Sequence, residues 1–249
     1  MRYFSFIFLL LFLSSFANGT NVHVKHDAIK IKVVTEDTFP LQYLEGGKVV
    51  GPATALVEQV LSMAGFTYSI DVLPWARAYH LALNEPNTLI YSLAKTPARA
   101  EQFKWVGEIM ALDYYLYGAI DSEVNAQTSL EKLKQYKIGT VRDSAVYQYL
   151  IKNDFKHLTT VVQGKQNLLL FEQNRIDLFP ANKSTFQVIC RQEAFNCRNI
   201  KPVYKLDISS IDLYMAFSQS TDNAIVEKVR AGYQAVIQKQ HNSSDVGID

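Results

Sequence analysis

Apolar positions along the chain fall into short blocks whose period switches between that of a strand and that of a helix. Residues 29–34 read as a strand. Over 53–64, Leu56, Val57, Val60, Leu61 and Ala64 recur on one helical face, and Gly65 is a natural stop. Residues 66–72 alternate as a strand, 75–83 return to a helical period, and 89–93 form a continuous apolar run. Strand, helix, strand, helix, strand is the signature of a parallel α/β unit with right-handed crossovers. The pattern then restarts. Thr128-Ser129-Leu130-Glu131 offers a capping box. Strands are predicted at 137–141, 159–162, 176–179 and near 199–204, with helices at 145–152, 166–173 and through Cys190. The final helix, 224–238, places Ile225, Val229, Tyr233, Val236 and Ile237 on one face, and 240–249 reads as a frayed polar tail.

Two successive α/β units predict two lobes. The β-rich stretches 111–120 and 208–217 would pass between them, giving a first lobe of residues 20–118 and 208–249 and a second of 119–207. Ligands of open α/β sheets bind beyond the carboxyl ends of the strands. Two such sets of strand ends facing each other would enclose one cleft, a geometry suited to hinge closure on a small molecule.

The N-terminus adds a compartment. Arg2, the apolar residues 4–16 and the small residues of Ala17-Asn18-Gly19 read as a signal peptide, residues 1–19, cut after Ala17 or Gly19. The apolar run is shorter than the ~20 residues a spanning helix requires. No cysteine near the cut suggests a lipid anchor. Removing this segment takes away Arg2 and leaves basic and acidic residues equal, at 24 Asp+Glu. A formally neutral chain of about 230 residues is not a general nucleic-acid or anionic-membrane binder. The two cysteines, Cys190 and Cys197, read as a disulfide in an exported chain, with two free thiols as the alternative. No histidine or second cysteine pair stands at zinc-ligand spacing around them.

The stretch Ser92-Leu93-Ala94-Lys95-Thr96-Pro97-Ala98-Arg99 poses a chemical question. Thr96 before Pro97 reads as an N-cap with proline at N1, which puts Arg99 in a first helical turn. A cation is unfavourable at the positive end of a helix dipole. Either a bound anion compensates for it, or Arg99 is a surface residue paired with solvent, Glu101 or Glu108.

Several segments in fixed order carry a family likeness. They are Phe39-Pro40-Leu41-Gln42-Tyr43, Gly46-Gly47-Lys48-Val49-Val50-Gly51, Thr96-Pro97-Ala98-Arg99, Leu130-Glu131-Lys132-Leu133-Lys134, Lys137-Ile138-Gly139-Thr140-Val141 and Asn174-Arg175-Ile176-Asp177. From about Ile29 to Gln238 the chain resembles the periplasmic solute-binding proteins of the polar amino-acid ABC transporter type, extracellular solute-binding family 3. Pro74-Trp75-Ala76-Arg77-Ala78 and Phe103-Lys104-Trp105-Val106-Gly107 resemble a poorly characterised branch of it.

The resemblance implies a two-lobed type II periplasmic binding fold. It also implies a small carboxylate-bearing solute, an amino acid or related compound, captured between the lobes for an ABC permease. Arg99 inherits the grip on the ligand carboxylate. Ser144, just before a helix, is the second anchor or an ordinary N-cap, and the two roles are compatible. Ser92 and Ala94 would offer backbone groups. Phe39 or Tyr43 would give an aromatic wall, and Trp75 and Arg77 are further candidates, each with simple packing as the alternative. One departure stands out: where the family carries an aspartate for the ligand ammonium, this chain has Asn182. A neutral amide does not neutralise a buried ammonium. Either Glu36 or Asp37 replaces it, or the solute lacks an α-amino group.

Enzyme motifs are missing: there is no G-x-S-x-G, H-E-x-x-H, P-loop or G-x-G-x-x-G. His23 and His26 near the expected cut read as a disordered pair rather than a metal site, and no cofactor or metal is expected. Two rivals to the transport receptor remain, a receptor presenting its ligand to a membrane sensor and a dehydratase-type enzyme with a cleft carboxylate. A monomer is expected, with no nucleic-acid partner.

Overall fold

A computed structural model describes residues 29–192, 197–208 and 212–245. The expected signal peptide and His23 and His26 lie outside the described residues. The first sheet is laid down by β1 (Lys30–Thr35), α1 (Pro52–Met63), β4 (Thr67–Val72), α2 (Trp75–Asn84) and β5 (Thr88–Ala94). A hairpin, β2 (Tyr43–Glu45) and β3 (Lys48–Val50), comes between β1 and α1. It is absent from the pattern reading, although Gly46 and Gly47, both at positive φ, are the turn residues such a hairpin demands.

Strands β6 (Phe103–Met110) and β12 (Leu213–Ser218) complete a five-stranded sheet of order β4-β1-β5-β12-β6. Strands β4, β1 and β5 are parallel, and β12 runs antiparallel to both β5 and β6. All seven residues of β5 are buried because both faces of the sheet are covered. Leu89 and Tyr91 pack into the core shared by α1 and α7 (Asn223–Asp245), while Ile90 and Leu93 join the core under α2. The helix α7 runs through Asp245, so residues 240–245 continue it instead of fraying. Its Gly232 permits the approach to α1, since a Cβ there would lie 2.8 Å from the Val60 carbonyl oxygen.

The second lobe contains β7 (Tyr114–Ala119), α3 (Leu130–Leu133), β8 (Ile138–Val141), α4 (Ala145–Lys152), β9 (Leu158–Val161) and α5 (Lys165–Glu172). It continues with β10 (Phe179–Asn182), α6 (Lys183–Gln192) and β11 (Ile200–Lys205). Strand β7 lies between β10 and β11, antiparallel to both. The parallel pair β8 and β9 joins them through a bridge from Ile138 to Leu178. The chain leaves the first sheet after Met110 and enters the second at Tyr114, then returns between Lys205 and Leu213. The expected crossing strands are therefore mostly sheet strands with short connections. Ser129 caps α3 by accepting from the Lys132 amide. Cys190 and Cys197 form a disulfide that ties the end of α6 to the turn before β11, against a cluster of Tyr117, Phe179 and Phe186.

Candidate functional site

The carboxyl ends of β1 and β5 in one lobe face the end of β8 in the other, and a cavity of about 360 Å³ lies between them. That volume falls in the range of small-molecule pockets. From β1 the chain delivers Glu36 and Asp37, from β5 Ser92 and Ala94, and from the turn beyond it Arg99. Across the gap stand Thr140 and Val141 of β8, Ser144 and Ala145 at the start of α4, and Lys165 and Asn167 of α5.

Arg99 is 1% exposed. The local geometry differs from the expected α-helix: Pro97–Arg99 is a single 3-10 turn, and the Thr96 side chain makes no cap hydrogen bond. A full helix dipole is therefore not what opposes this cation; desolvation is. Its Nη1 donates to the Ala94 carbonyl at 3.3 Å and its Nη2 to the Asp143 carbonyl at 3.0 Å, while Nε has no partner. The guanidinium lies 5.3 Å from the Trp75 ring centroid and 4.9 Å from that of Tyr79. No carboxylate forms an ion pair with it among the described residues. Burial pulls its pKa down, opposed by Tyr79, Glu36 and Asp143. The surface-arginine alternative is overturned. This is a desolvated cation held by carbonyls and aromatic faces, with N–H groups to spare.

Asp143 joins the lobes. Its carbonyl oxygen, exposed by a left-handed φ of 59°, accepts from both Arg99 and the Trp75 indole N–H, the latter at 3.1 Å. Trp75 is thus at once cavity wall, stacking surface and cross-lobe donor.

Glu36 sits at the end of β1. Burial pushes its carboxyl up to about 7, against the lowering pull of a Thr38 hydrogen bond and of Arg99. Tyr114, where the chain enters the second lobe, is held protonated well above its ordinary value by burial and then by Glu36.

The remaining sequence candidates divide. Phe39 and Tyr43 both line the cavity as an edge-on pair with centroids 4.8 Å apart. Ser92 lines it from a left-handed φ of 57°, its Oγ donating to Gln42 Oε1 at 2.8 Å. Ala94 lines it and lends its carbonyl to Arg99. Ser144 lines it while its Oγ accepts from the Tyr147 amide as the N-cap of α4. Asn182 also lines it, with its amide engaged: Nδ2 donates to the Asp113 carbonyl and Oδ1 accepts from the Thr185 amide at the start of α6. Arg77 is exposed on α2 and is not among the cavity-lining residues. The sequence reading missed Thr140, Lys165 and Asn167. The one signal it held was polar residues at the end of a strand and the start of a helix.

No protein-family model matches the sequence, and no curated protein matches it. Solved structures match closely in fold. A histidine kinase sensor domain with similarity to periplasmic binding proteins aligns over 88% of this chain and 94% of its own, with a TM-score of 0.76 at 19% identity. The arginine-, lysine-, histidine-binding protein ArtJ from Geobacillus stearothermophilus aligns over 85% and 90%, with a TM-score of 0.74 at 16% identity. An ancestral arginine-binding protein bound to arginine aligns over 84% and 92%, with a TM-score of 0.72 at 16% identity. The chain therefore has the two-lobed periplasmic-binding-protein fold that the sequence resemblance implied.

Proposed function

We propose that this protein is an exported receptor that captures a small carboxylate-bearing solute, an amino acid or related compound, in its interlobe cleft for ABC-type import. The supporting observation is Arg99, 1% exposed at the cavity wall with no carboxylate partner among the described residues. A desolvated cation of this kind favours an anionic ligand, and charge-assisted hydrogen bonds to a guanidinium are among the stronger ones. The likeness to ArtJ and to the ancestral arginine-binding protein supports an amino-acid-type solute. On this reading Ser144, Ser92 and the Ala94 backbone complete the carboxylate end. Phe39, Tyr43 and Trp75 enclose the body of the solute, and Glu36 or Asp37 takes an amino group where Asn182 does not.

The receptor acts by binding and closure without turnover, as a periplasmic monomer released from a signal peptide of residues 1–19. The hinge lies at the two passages between sheets, near residues 111–113 and 206–208, rather than at the division after residue 118 that the sequence suggested. The likeness to a histidine kinase sensor domain favours a second reading, in which the closed receptor is presented to a membrane sensor. Thermal-shift screening of amino acids and small organic acids tests the core claim, because ligand at a hundred times its Kd stabilises by about 2.7 kcal/mol. Melting that no carboxylate shifts would refute it.

A further inference from the structure

We propose that the second-lobe wall of the cavity is a subsite for a distal carboxylate, so that the solute carries an acidic group at each end. This rests on the receptor reading above and narrows the class of solute it takes. Thr140 is fully buried and lines the cavity, yet its Oγ1 has no hydrogen-bond partner. Asn167 is 2% exposed, lines the same wall, and its Oδ1 is also without a partner. Buried polar groups are nearly always satisfied, so the orphaned Thr140 hydroxyl on this wall marks where a bound molecule supplies the missing partner, whereas Asn167 Oδ1 packs over Gly139.

Charge points to the nature of that molecule. Lys165 opens α5, lines the cavity and makes no ion pair among the described residues. It stands at the positive end of the eight-residue helix. Every acidic residue lining the cavity, Glu36 and Asp37, comes from the first lobe; the second lobe contributes a cation and no acid. A carboxylate at this wall would accept from the Thr140 hydroxyl and the Lys165 ammonium. Asn167 can add its Nδ2 hydrogens as donors, while its Oδ1, an acceptor, gains nothing from a carboxylate. A solute with one carboxylate, held by Arg99, would leave all three groups unused.

Calorimetric titration with succinate, glutarate and adipate, their α-amino counterparts and the chain-matched monocarboxylates tests the subsite in wild type, Lys165→Met and Thr140→Val. Circular dichroism confirms the fold of each variant. The expected result is a preference for one of the diacids. Lys165→Met should weaken that diacid about tenfold and Thr140→Val about threefold, with both leaving the monocarboxylate within about twofold. If monocarboxylates bind as tightly as diacids, or the variants weaken both classes equally, the subsite is refuted and the receptor reading stands. If no acid in the panel binds wild type at millimolar concentration, the diacid subsite is refuted, and the receptor reading is decided by the wider thermal-shift screen.

Discussion

The two lobes enclose one cavity but equip it differently. The first contributes Glu36, Asp37 and Arg99, two of them perturbed by burial. The second contributes hydroxyls, amides and helix starts, with Lys165 as its single charge. The packing explains the division. The first lobe is built on a continuous five-stranded sheet covered on both faces, so it can fix a desolvated guanidinium between Trp75 and Tyr79. The second is built from a three-stranded and a two-stranded sheet joined by one bridge, with a disulfide tying the end of α6 to the turn before β11. Burying a charge is tolerable only where surrounding dipoles are held in place. Most of the cavity's charge therefore resides in the better-braced lobe, and the other lines it with neutral groups and the single charge of Lys165.

The sharpest test of this division is Arg99→Ala, which removes the first lobe's anchor. Affinity for a carboxylate found by screening should fall roughly ten- to a hundredfold, about 1.5–3 kcal/mol, in calorimetric titration. Arg99→Lys should recover only part of that, because an ammonium keeps the charge and loses the planar fork. Equal affinity in wild type and Arg99→Ala would mean that the charged lobe is not the recognising one.

Next in size is the disulfide, which braces only the second lobe. Replacing both Cys190 and Cys197 by serine should cost about 2–3 kcal/mol, as expected for so short a ring. Calorimetry should show the loss in a transition separable from that of the first lobe, and a uniform shift of the whole unfolding curve would argue that the lobes are one cooperative unit.

Trp75→Phe probes the link between lobes. It keeps an aromatic face beside Arg99 and deletes the indole N–H that reaches Asp143, so the closed form should lose about 0.5–1.5 kcal/mol. Solution scattering with saturating ligand would then report a larger mean radius of gyration than for wild type.

A separate test within the first lobe is a pH slope from Glu36. Its folded pKa of about 7 exceeds the ordinary 4.5, so the folded state holds this proton more tightly than the unfolded chain. Stability from this group is greatest below about pH 4.5 and falls as pH rises to about 7, then levels off. Glu36→Gln should flatten that segment of a Tm-against-pH curve; an unchanged slope would assign it to other groups.

Much of the fold was legible because most strands and helices are covered on a defined face, and coverage writes its period into the sequence. The helix on 53–64, the run at 89–93 and the strand at 137–141 all reappear within a residue or two. The hairpin of β2 and β3 escaped because three-residue strands are too short to show alternation. Strand β6 escaped because its polar and apolar residues are mixed by irregular pairing with β12. Of the cavity-lining residues, Arg99, Phe39 and Trp75 stood out in family-like segments and Ser144 by its place before a helix, whereas Thr140 and Asn167 did not, since a lone threonine or asparagine has no periodic signature.

The sequence by itself determined the two α/β units, the cysteine pair and the anomaly of a cation after Thr96-Pro97. Those follow from local periodicity and from chemistry within a few residues. Tertiary structure alone decided what surrounds that cation. Asp143, 44 positions away, supplies a carbonyl, Trp75 and Tyr79 supply ring faces, and Asn182 is drawn into capping α6. Desolvation depends on which distant segments close over a group, and no local pattern encodes that distance.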